Sequence, residues 1–436
     1  MRVRHSLLPS ALCKDNSMGL LCDLTQRILP PSPSPFALFI QRRWKKPTVS
    51  AQTRLEDRVR DPHLDKSMAH LKKLHLVLRT HHLMSTRKRG PFVSLNLMSR
   101  WRNILRLNVP IASFLHKHPH VFHLFVHPFR RNTCCRITKR MKDLILLEGV
   151  VVKQQEMEVV KRVKKLLMMS VGGSLHLHAL RLIRRELGLP EDFRDSILGK
   201  YGGDFRLIGL EVVELVHWDA ELGVARVEEW REKEYVEKWL SEFETKFAFP
   251  ISFPTGFKFE RGFRERLKNW QRLPYTKPYE RKEVVRAKTC GGIERYEKRA
   301  VAVLHELLSL TVEKMVEVDQ LAHFRRDFGI EVNVRELLLK HPGIFYISSK
   351  GKNLTVFLRE AYRKGGLIEP NPVYEVRRNM LDLVLLGCRK TRQLLACDES
   401  KEESNSSVVY EVNEEGERQG DWVIPFLENC GENKSH

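Results

Sequence analysis

The segment FRRDFGIEVNVRELLLKHPGIFYIS, residues 324–348, decides the fold because parts of it recur along the chain. LLLKHPGIF at 337–345 matches FLHKHPHVF at 114–122 in an apolar pair, a Lys-His-Pro triplet and a second apolar pair. ILGKYGGDF at 197–205 is a weaker copy that lacks the His-Pro pair, and IRRELGL at 183–189 resembles FRRDFGI. Self-similarity of this kind indicates repeated structural units, so the sequence predicts three related modules.

Each module predicts a helix, a turn, a second helix and a strand. Gly188 is placed to close the first helix, and Pro119 or Pro342 ends the second one. The apolar runs at 121–126 and 344–348 then predict strands. Apolar residues at helical spacing support the first helix: Leu177, Leu180, Ile183 and Leu187.

The predicted fold class is therefore α+β and predominantly helical, with repeated winged-helix-like (helix-turn-helix-strand) modules that form one elongated RNA-binding body. Such a module can equally serve only as a packing scaffold, and the sequence leaves this alternative open. Between the second and third modules, FAFPISFPTGF at 247–257 contains two prolines and predicts an extended segment that packs into the core. A helix ending near Ala248 is predicted to bury one apolar stripe: Val236, Trp239, Leu240, Phe243 and Phe247.

The composition indicates a polyanionic partner. The 436 residues include 76 Lys and Arg against 54 Asp and Glu, a formal net charge of +22, and 42% of them are hydrophobic. A field of this sign attracts nucleic acid, either through specific RNA recognition or as in a ribosomal or nucleoid-packing protein. The 8 cysteines form no CxxC pair, which predicts a reducing compartment and no zinc site. No run approaches the ~18 apolar residues of a membrane span, so no membrane partner is expected.

The termini differ in composition from the body. Residues 1–50 are basic, contain serines and a PPSPSP run, and are poor in acids, which predicts an organellar transit peptide. A mitochondrial address is favoured, with the chloroplast as the alternative, and a disordered basic arm that binds RNA itself is the other interpretation. Residues 51–390 are predicted to form the RNA-binding domain, and the acidic residues 391–436 a disordered tail.

Four long stretches carry a family resemblance: LEDRVRDPHLDK at 55–66, FPISFPTGFKFERGFRERLKNWQRLPYTKPYE at 249–280, VEVDQLAHFRRDFGIEVNVRELLLKHPGIFYIS at 316–348 and VFLREAYRKGGLIEPNP at 356–372. They resemble the plant organelle RNA recognition (PORR) family, and the similarity spans roughly residues 55–385. The resemblance implies that the protein binds organellar RNA and promotes splicing of group II introns without catalysing it. It supplies no defined set of contact residues.

Basic residues at helical spacing are the candidate RNA contacts. In RGFRERLKNWQRLPY at 261–275, one predicted helix face carries Arg261, Arg264, Lys268 and Arg272 opposite the apolar Phe263, Leu267 and Trp270. An ordinary solvated face is the alternative. Further clusters are Lys161, Arg162, Lys164 and Lys165; Arg130, Arg131, Arg136, Lys139 and Arg140; and Arg325 with Arg326, which repeat Arg184 with Arg185. We expect these clusters to line one continuous groove, with Tyr275, Tyr279, Tyr201 and Tyr346 as candidates for stacking on bases.

Catalytic and metal chemistry finds little support in the sequence. His116, His118, His120, His123 and His127 crowd one region, but Pro119 interrupts the spacing, and His118 belongs to the repeated Lys-His-Pro pattern, so packing is favoured over metal binding. GKYGG at 199–203 has the wrong spacing for a phosphate-binding loop. We therefore expect a monomeric, non-enzymatic adaptor with no cofactor and no small-molecule substrate. Its expected partners are intron-containing organellar RNA and other splicing factors.

Overall fold

The structure, a computed structural model, describes residues 51–87, 90–238, 246–254, 256–259, 261–280 and 292–402. The fold is α+β and mostly helical, with small antiparallel sheets. Its helices are α1 (Ala51–Asp57), α2 (Pro62–Ser85), α3 (Leu95–Ser99), α4 (Arg102–Leu105), α5 (Ile111–His116), α6 (Lys139–Gln154), α7 (Glu156–Met169), α8 (Leu177–Leu182), α9 (Arg184–Leu187), α10 (Arg226–Lys238), α11 (Phe263–Arg272), α12 (Gly292–Leu310), α13 (Val318–Leu321), α14 (Val334–Lys340) and α15 (Pro372–Glu402).

Three three-stranded antiparallel sheets share one topology. Each sheet begins with a short strand, continues through helical turns into a hairpin, and places its last strand in the middle. We name the corresponding residues module A (92–137), module B (174–215) and module C (315–358). The strands are β1 (Phe92–Ser94), β2 (Phe122–Val126) and β3 (Thr133–Ile137) in A; β4 (Ser174–His176), β5 (Phe205–Ile208) and β6 (Val212–Leu215) in B; and β7 (Met315–Glu317), β8 (Phe345–Ser348) and β9 (Thr355–Leu358) in C. A fourth, two-stranded sheet pairs β10 (Tyr362–Arg363) with β11 (Gly366–Leu367).

In modules B and C, one turn is closed by the same backbone hydrogen bond. In module B the amide of Leu189 donates to the carbonyl of Arg184 at 2.7 Å, and in module C that of Ile330 donates to Arg325 at 2.7 Å. The glycine before each donor has a positive φ, 74° at Gly188 and 62° at Gly329, a conformation that favours glycine. Each turn is therefore closed by the glycine that the repeated sequence places there.

Module A contains the same turn without the glycine. The amide of Leu107 donates to the carbonyl of Arg102 at 3.0 Å, and Arg106 occupies the glycine position with a φ of 53°. The counterpart of IRRELGL in module A is therefore WRNILRL at 101–107. Sequence comparison missed it because an arginine replaces the recognisable glycine.

Modules B and C contact each other reciprocally. The amide of Val171, ahead of β4, donates to the carbonyl of Asp327 in module C at 2.8 Å, and the amide of Val312, ahead of β7, donates to the carbonyl of Glu186 in module B at 2.7 Å. Glu186 and Asp327 hold the same place in the two turn sequences. The two modules thus form a pair, with α7 and α12 leading into equivalent strands and contributing to one shared hydrophobic core.

Module A belongs to a second hydrophobic core. Its buried residues pack with α2, α6 and α15, for example through Leu74, Met141 and Met380. The outer face of the module C sheet is covered by the first turns of α2, where Leu64 and Met68 lie against it. Capping explains where α2 begins, because the Asp61 carboxylate accepts from the amides at 63 and 64 and Pro62 occupies the first turn.

A buried ion network lies between the two cores. Arg377 of α15 donates to the Glu148 carboxylate at 2.7 Å and to the Glu313 carboxylate at 3.1 Å, and Arg377 and Glu313 are both buried. Burial acts to raise the pKa of Glu313, but the attraction of Arg377 and of other nearby basic groups together outweighs it and holds that pKa below the usual 4.5. The network is therefore ionised, and it joins α15 to α6 and to the segment just before module C.

Several expectations about individual segments can be compared with this fold. The extended segment near 247–257 does enter the core, because Phe249 is buried and the amide of Ser252 donates to the carbonyl of Gly343 at 2.9 Å. The apolar stripe predicted before this segment was wrong at Val236, whose side chain is 65% exposed on α10. Three further stripe residues lie outside the described part of the chain: Trp239, Leu240 and Phe243.

The predicted boundaries at the termini fall mainly where the structure describes nothing. Residues 1–50 lie outside the described residues, as do 403–436. Helix α15 extends to Glu402 and so continues past 391, where a disordered tail was predicted to begin. Among the described helices, none combines the length and apolar character needed to cross a membrane.

Candidate RNA interface

The basic side chains of α7 contact other parts of the fold. Lys164 forms an ion pair with Asp204 at 2.8 Å, and Lys165 lies 3.8 Å from Glu306 and donates to the carbonyl of Val224 at 3.0 Å. Arg162 donates to the carbonyl of Leu187, and burial lowers its pKa. Lys161 is half exposed and paired with Glu158 at 2.9 Å. Arg162, Lys164 and Lys165 thus make contacts within the fold, and their place in a continuous RNA-binding groove stays a prediction.

The repeated arginine pairs belong mainly to the turns. Arg325 donates to the carbonyls of Ile330 and Glu331 at 3.3 and 2.8 Å and so closes its own turn, whereas Arg326 is exposed. Arg185 is the counterpart of Arg326, and burial together with repulsion from Arg377 lowers its pKa. Arg326 thus remains available to a ligand, and Arg325 is held by the backbone.

The tyrosines expected to stack on bases are mostly inside the protein. Tyr275 is 7% exposed, and its hydroxyl accepts a hydrogen bond from Arg231 at 2.7 Å. Tyr279 and Tyr346 are also buried, and the Tyr279 hydroxyl donates to Glu306 at 2.7 Å. Tyr275 is thus buried in this fold and presents little of its ring to solvent. Tyr201 is half-buried and bonded to a carboxylate of α7.

Helix α11 has the two faces that its sequence predicts. Arg264 and Lys268 are exposed, as is Arg261 just before the helix, while Arg272 is half-buried. The opposite face is half-buried, and Trp270 packs against the shared core. Arg261, Arg264 and Lys268 together are named the helix surface.

Lys298 of α12 fixes the end of α11. Its ammonium donates to the carbonyls of Trp270, Gln271 and Leu273 at 2.6, 2.9 and 2.8 Å, which satisfies carbonyl groups that a helix end leaves free. Burial and the nearby Arg231 lower the pKa of Lys298 to about 7. A cleft of about 820 Å³ beside α11 is lined by aromatic rings including Phe253 and by the Lys-His-Pro-Gly segment at 340–343.

The hairpin of module A presents a second group of cations. Arg130 and Arg131 lie in the β2–β3 turn, Arg136 lies on β3, and Lys139 and Arg140 begin α6; all five are exposed. Among the residues that the structure describes, none of these five forms a salt bridge. These five residues are named the hairpin surface. Their charges are open to solvent and hence to a phosphate backbone.

The histidines near this hairpin do not form a metal site in the described residues. His118 is buried, its Nδ1 lies 3.3 Å from the carbonyl of Val384, and its ring packs against Phe114. Burial lowers the pKa of His118, and the same is true of its counterpart His341, whose pKa falls to about 4. No group of three possible metal ligands occurs in the described part of the chain. The Lys-His-Pro histidines thus lie at equivalent packing positions.

Exposed, unneutralised cations on a folded body are typical of nucleic-acid-binding proteins. The chain belongs to the plant organelle RNA recognition family, because the model of the plant organelle RNA recognition domain matches residues 59–389. The resemblance inferred from four sequence stretches is thereby confirmed. No solved structure matches the chain.

Named plant proteins are similar over most of this chain. Protein ROOT PRIMORDIUM DEFECTIVE 1 of Arabidopsis thaliana is 40% identical over 348 residues, covering 77% of this chain and 85% of that protein. Protein WHAT'S THIS FACTOR 1, chloroplastic, of Zea mays is 32% identical over 83% of this chain and 73% of its own length. Protein WHAT'S THIS FACTOR 9, mitochondrial, of Arabidopsis thaliana is 30% identical over 67% of this chain and 75% of its own length.

Proposed function

We propose that this chain is an organellar RNA-binding protein that promotes splicing of group II introns. The observation that supports the proposal is the hairpin surface, whose five cations form no salt bridge within the described residues. This surface lies in a domain of an RNA recognition family. The chain binds the productive conformation of the intron more tightly than misfolded ones and so shifts the population toward splicing. The RNA supplies the chemistry, so the protein acts without enzymatic turnover.

We further propose that modules A, B and C are winged-helix-like. The strand order, with the last strand in the middle, and the helical turns before the hairpin support this interpretation. In such a module the hairpin is the wing, which contacts the nucleic acid backbone. Arg130 and Arg131 lie in the β2–β3 turn at that position in module A.

The relatives support an organellar address without deciding between organelles, since one is named chloroplastic and another mitochondrial. We propose the mitochondrion, because of the arginine-rich end of the first fifty residues, with the chloroplast as the alternative. Other splicing factors are proposed partners in the same ribonucleoprotein. The proposed adaptor is a monomer.

Sequencing of organellar RNA after loss of the gene tests the splicing proposal. Retained group II introns are the expected result, together with enrichment of the same introns on the immunoprecipitated protein. Normal splicing of every organellar intron would reject the proposal. Sedimentation with organellar ribosomes at high salt, or equal affinity for duplex DNA and intron RNA, would support a structural ribosomal or nucleoid component instead.

A further inference from the structure

The outer face of the module A sheet carries aromatic rings where a sheet usually carries polar residues. Val93 and Cys135 are buried toward the core, so Phe92 on β1 and Phe125 on β2 lie on the opposite face. Their ring centroids are 5.8 Å apart, and His127 extends the contact to Phe92 at 5.3 Å. Both phenylalanines are only half-buried.

A third phenylalanine projects from the hairpin beside this face. Phe129 is 91% exposed, and its ring lies 6.2 Å from that of His127. Arg130 and Arg131 follow it directly in the turn. A phenylalanine so exposed contributes nothing to the core, which suggests a role in binding. We name Phe92, Phe125 and Phe129 the aromatic face.

The outer faces of the module B and module C sheets differ from that of module A. In module A, His123 and Arg136 lie beside Phe92 on this face. The corresponding positions of module B are occupied by an ion pair, Arg206 with Glu214 at 2.7 Å. In module C they are filled by Tyr346 and Phe357, which are buried under α2. The outer face of module C is thus covered, whereas within the described residues the rings of the aromatic face are half-buried or exposed.

Charge decides which kind of partner fits the aromatic face. Arg136 occupies the position of Phe357, is exposed, and lies 5.4 Å from the Phe125 ring centroid. A purely apolar helix would bury this guanidinium without a counter-charge, which is costly. No aspartate or glutamate occurs between Asp65 and Asp143, so this part of the chain supplies cations without acids. The partner must bring both flat apolar rings and negative charge.

We propose that the aromatic face is a stacking platform for unpaired bases of single-stranded RNA, whose phosphates are bound by Arg130, Arg131 and Arg136. Single-stranded RNA exposes base faces beside a continuous line of phosphates, and base–aromatic stacking with cationic neighbours is a general way of holding it. This inference rests on the proposed RNA-binding function and assigns that function to particular rings.

The test compares two ligands that carry the same charge. A labelled, unstructured RNA strand of about twenty nucleotides is titrated into the full chain by fluorescence anisotropy, beside an abasic strand with the same phosphates. Phe129→Ala removes the exposed ring, and Phe125→Leu keeps apolar volume while removing aromaticity. Leu210→Ala is the matched control, because Leu210 is 74% exposed just beyond β5 in the module B hairpin.

We expect each phenylalanine variant to lose about fivefold or more in affinity for the base-bearing strand and nothing for the abasic strand. Leu210→Ala should bind both strands as the wild-type chain does. A 4-thiouridine crosslink that maps to residues 121–130 would support the same location.

Other outcomes overturn the inference in distinguishable ways. Equal losses on both strands would mean that the rings do not stack, and unchanged RNA affinity in both variants would remove the platform while leaving RNA binding intact. If Phe129→Ala instead abolished pelleting with anionic phosphatidylserine vesicles, or capture by an acidic peptide helix, at unchanged RNA affinity, the occupant would be a membrane or a protein. A wild-type chain that bound neither strand would reject the proposed function itself.

Discussion

Replacing Arg130 and Arg131 by glutamine should weaken the salt dependence of RNA binding. Both side chains are exposed and have no described ion-pair partner, so each is free to displace a counterion from a phosphate. On single strands each such contact contributes about 0.7 to the slope of log K against log salt concentration. The double variant should therefore lower the magnitude of that slope by about 1.4.

A matched variant removes the same charge from residues that already have partners. Lys161 pairs with Glu158 at 2.9 Å and Lys200 pairs with Glu156 at 2.6 Å, although both lysine side chains are more than half exposed. Lys161→Gln with Lys200→Gln should leave the slope nearly unchanged, because these cations are already neutralised locally. Such surface pairs contribute only about 0 to 1 kcal/mol to stability, so the variant should fold normally.

The assay is fluorescence anisotropy of a labelled single strand at salt concentrations from about 50 to 300 mM, where the logarithmic relation is close to linear. Circular dichroism and thermal unfolding of all three proteins confirm that the fold is retained. If the two double variants changed the slope equally, net charge rather than the hairpin surface would govern binding. If the arginine variant kept the wild-type slope, Arg130 and Arg131 would not contact phosphate at all.

Three further changes test the fold and the buried position of Tyr275. Gly329→Ala should destabilise the protein by about 1 to 2 kcal/mol, because φ is 62° at this position and the new methyl group would lie 3.1 Å from Val171. Urea unfolding measures this loss. Arg377→Met should cost about 3 to 5 kcal/mol by the same assay, since it leaves the Glu148 and Glu313 carboxylates without their buried counter-charge. Tyr275→Phe should lower stability by about 1 to 3 kcal/mol, because Arg231 loses an acceptor, and should leave RNA affinity in anisotropy unchanged.

The controls for these changes follow from the same structure. Gly203→Ala adds a methyl group in open space and should be nearly neutral, so a loss equal to that of Gly329→Ala would contradict the turn argument.

The folded pKa of Glu313 lies below 4.5, so the stability that this carboxylate gives the fold is complete above that pH and is lost as the pH falls through the folded value. In Arg377→Met the folded pKa of Glu313 should rise, so less of this stabilisation should remain and the loss of stability on acidification should be smaller. Weakened RNA binding in Tyr275→Phe would contradict its assignment to the interior.

Much of the fold could be predicted from the sequence, because its signals are local. Gly188 and Gly329 mark the turns, and the helix before Pro342 and the strand after it lie where the pattern places them. The opening strands β1, β4 and β7 could not be predicted, since three residues are too few to show alternation. The turn at Arg106 could not be predicted either, because a positive φ is uncommon for arginine and the sequence gives no sign of it.

The RNA interface was harder to predict because helical spacing of cations looks the same whether or not partners meet them. Lys161 and Lys165 on α7 are four residues apart, as are Arg264 and Lys268 on α11. On α7, however, Asp204 and Glu306 reach Lys164 and Lys165 from distant parts of the chain. Only the fold reveals that neutralisation. A local signal was nevertheless present, since a run without aspartate or glutamate from 66 to 142 cannot neutralise its own cations. Beyond that run, Glu148 is bound by Arg377, and no carboxylate in the described part of the chain forms a salt bridge with Arg130, Arg131 or Arg136. The hairpin arginines therefore keep their charge for a phosphate backbone.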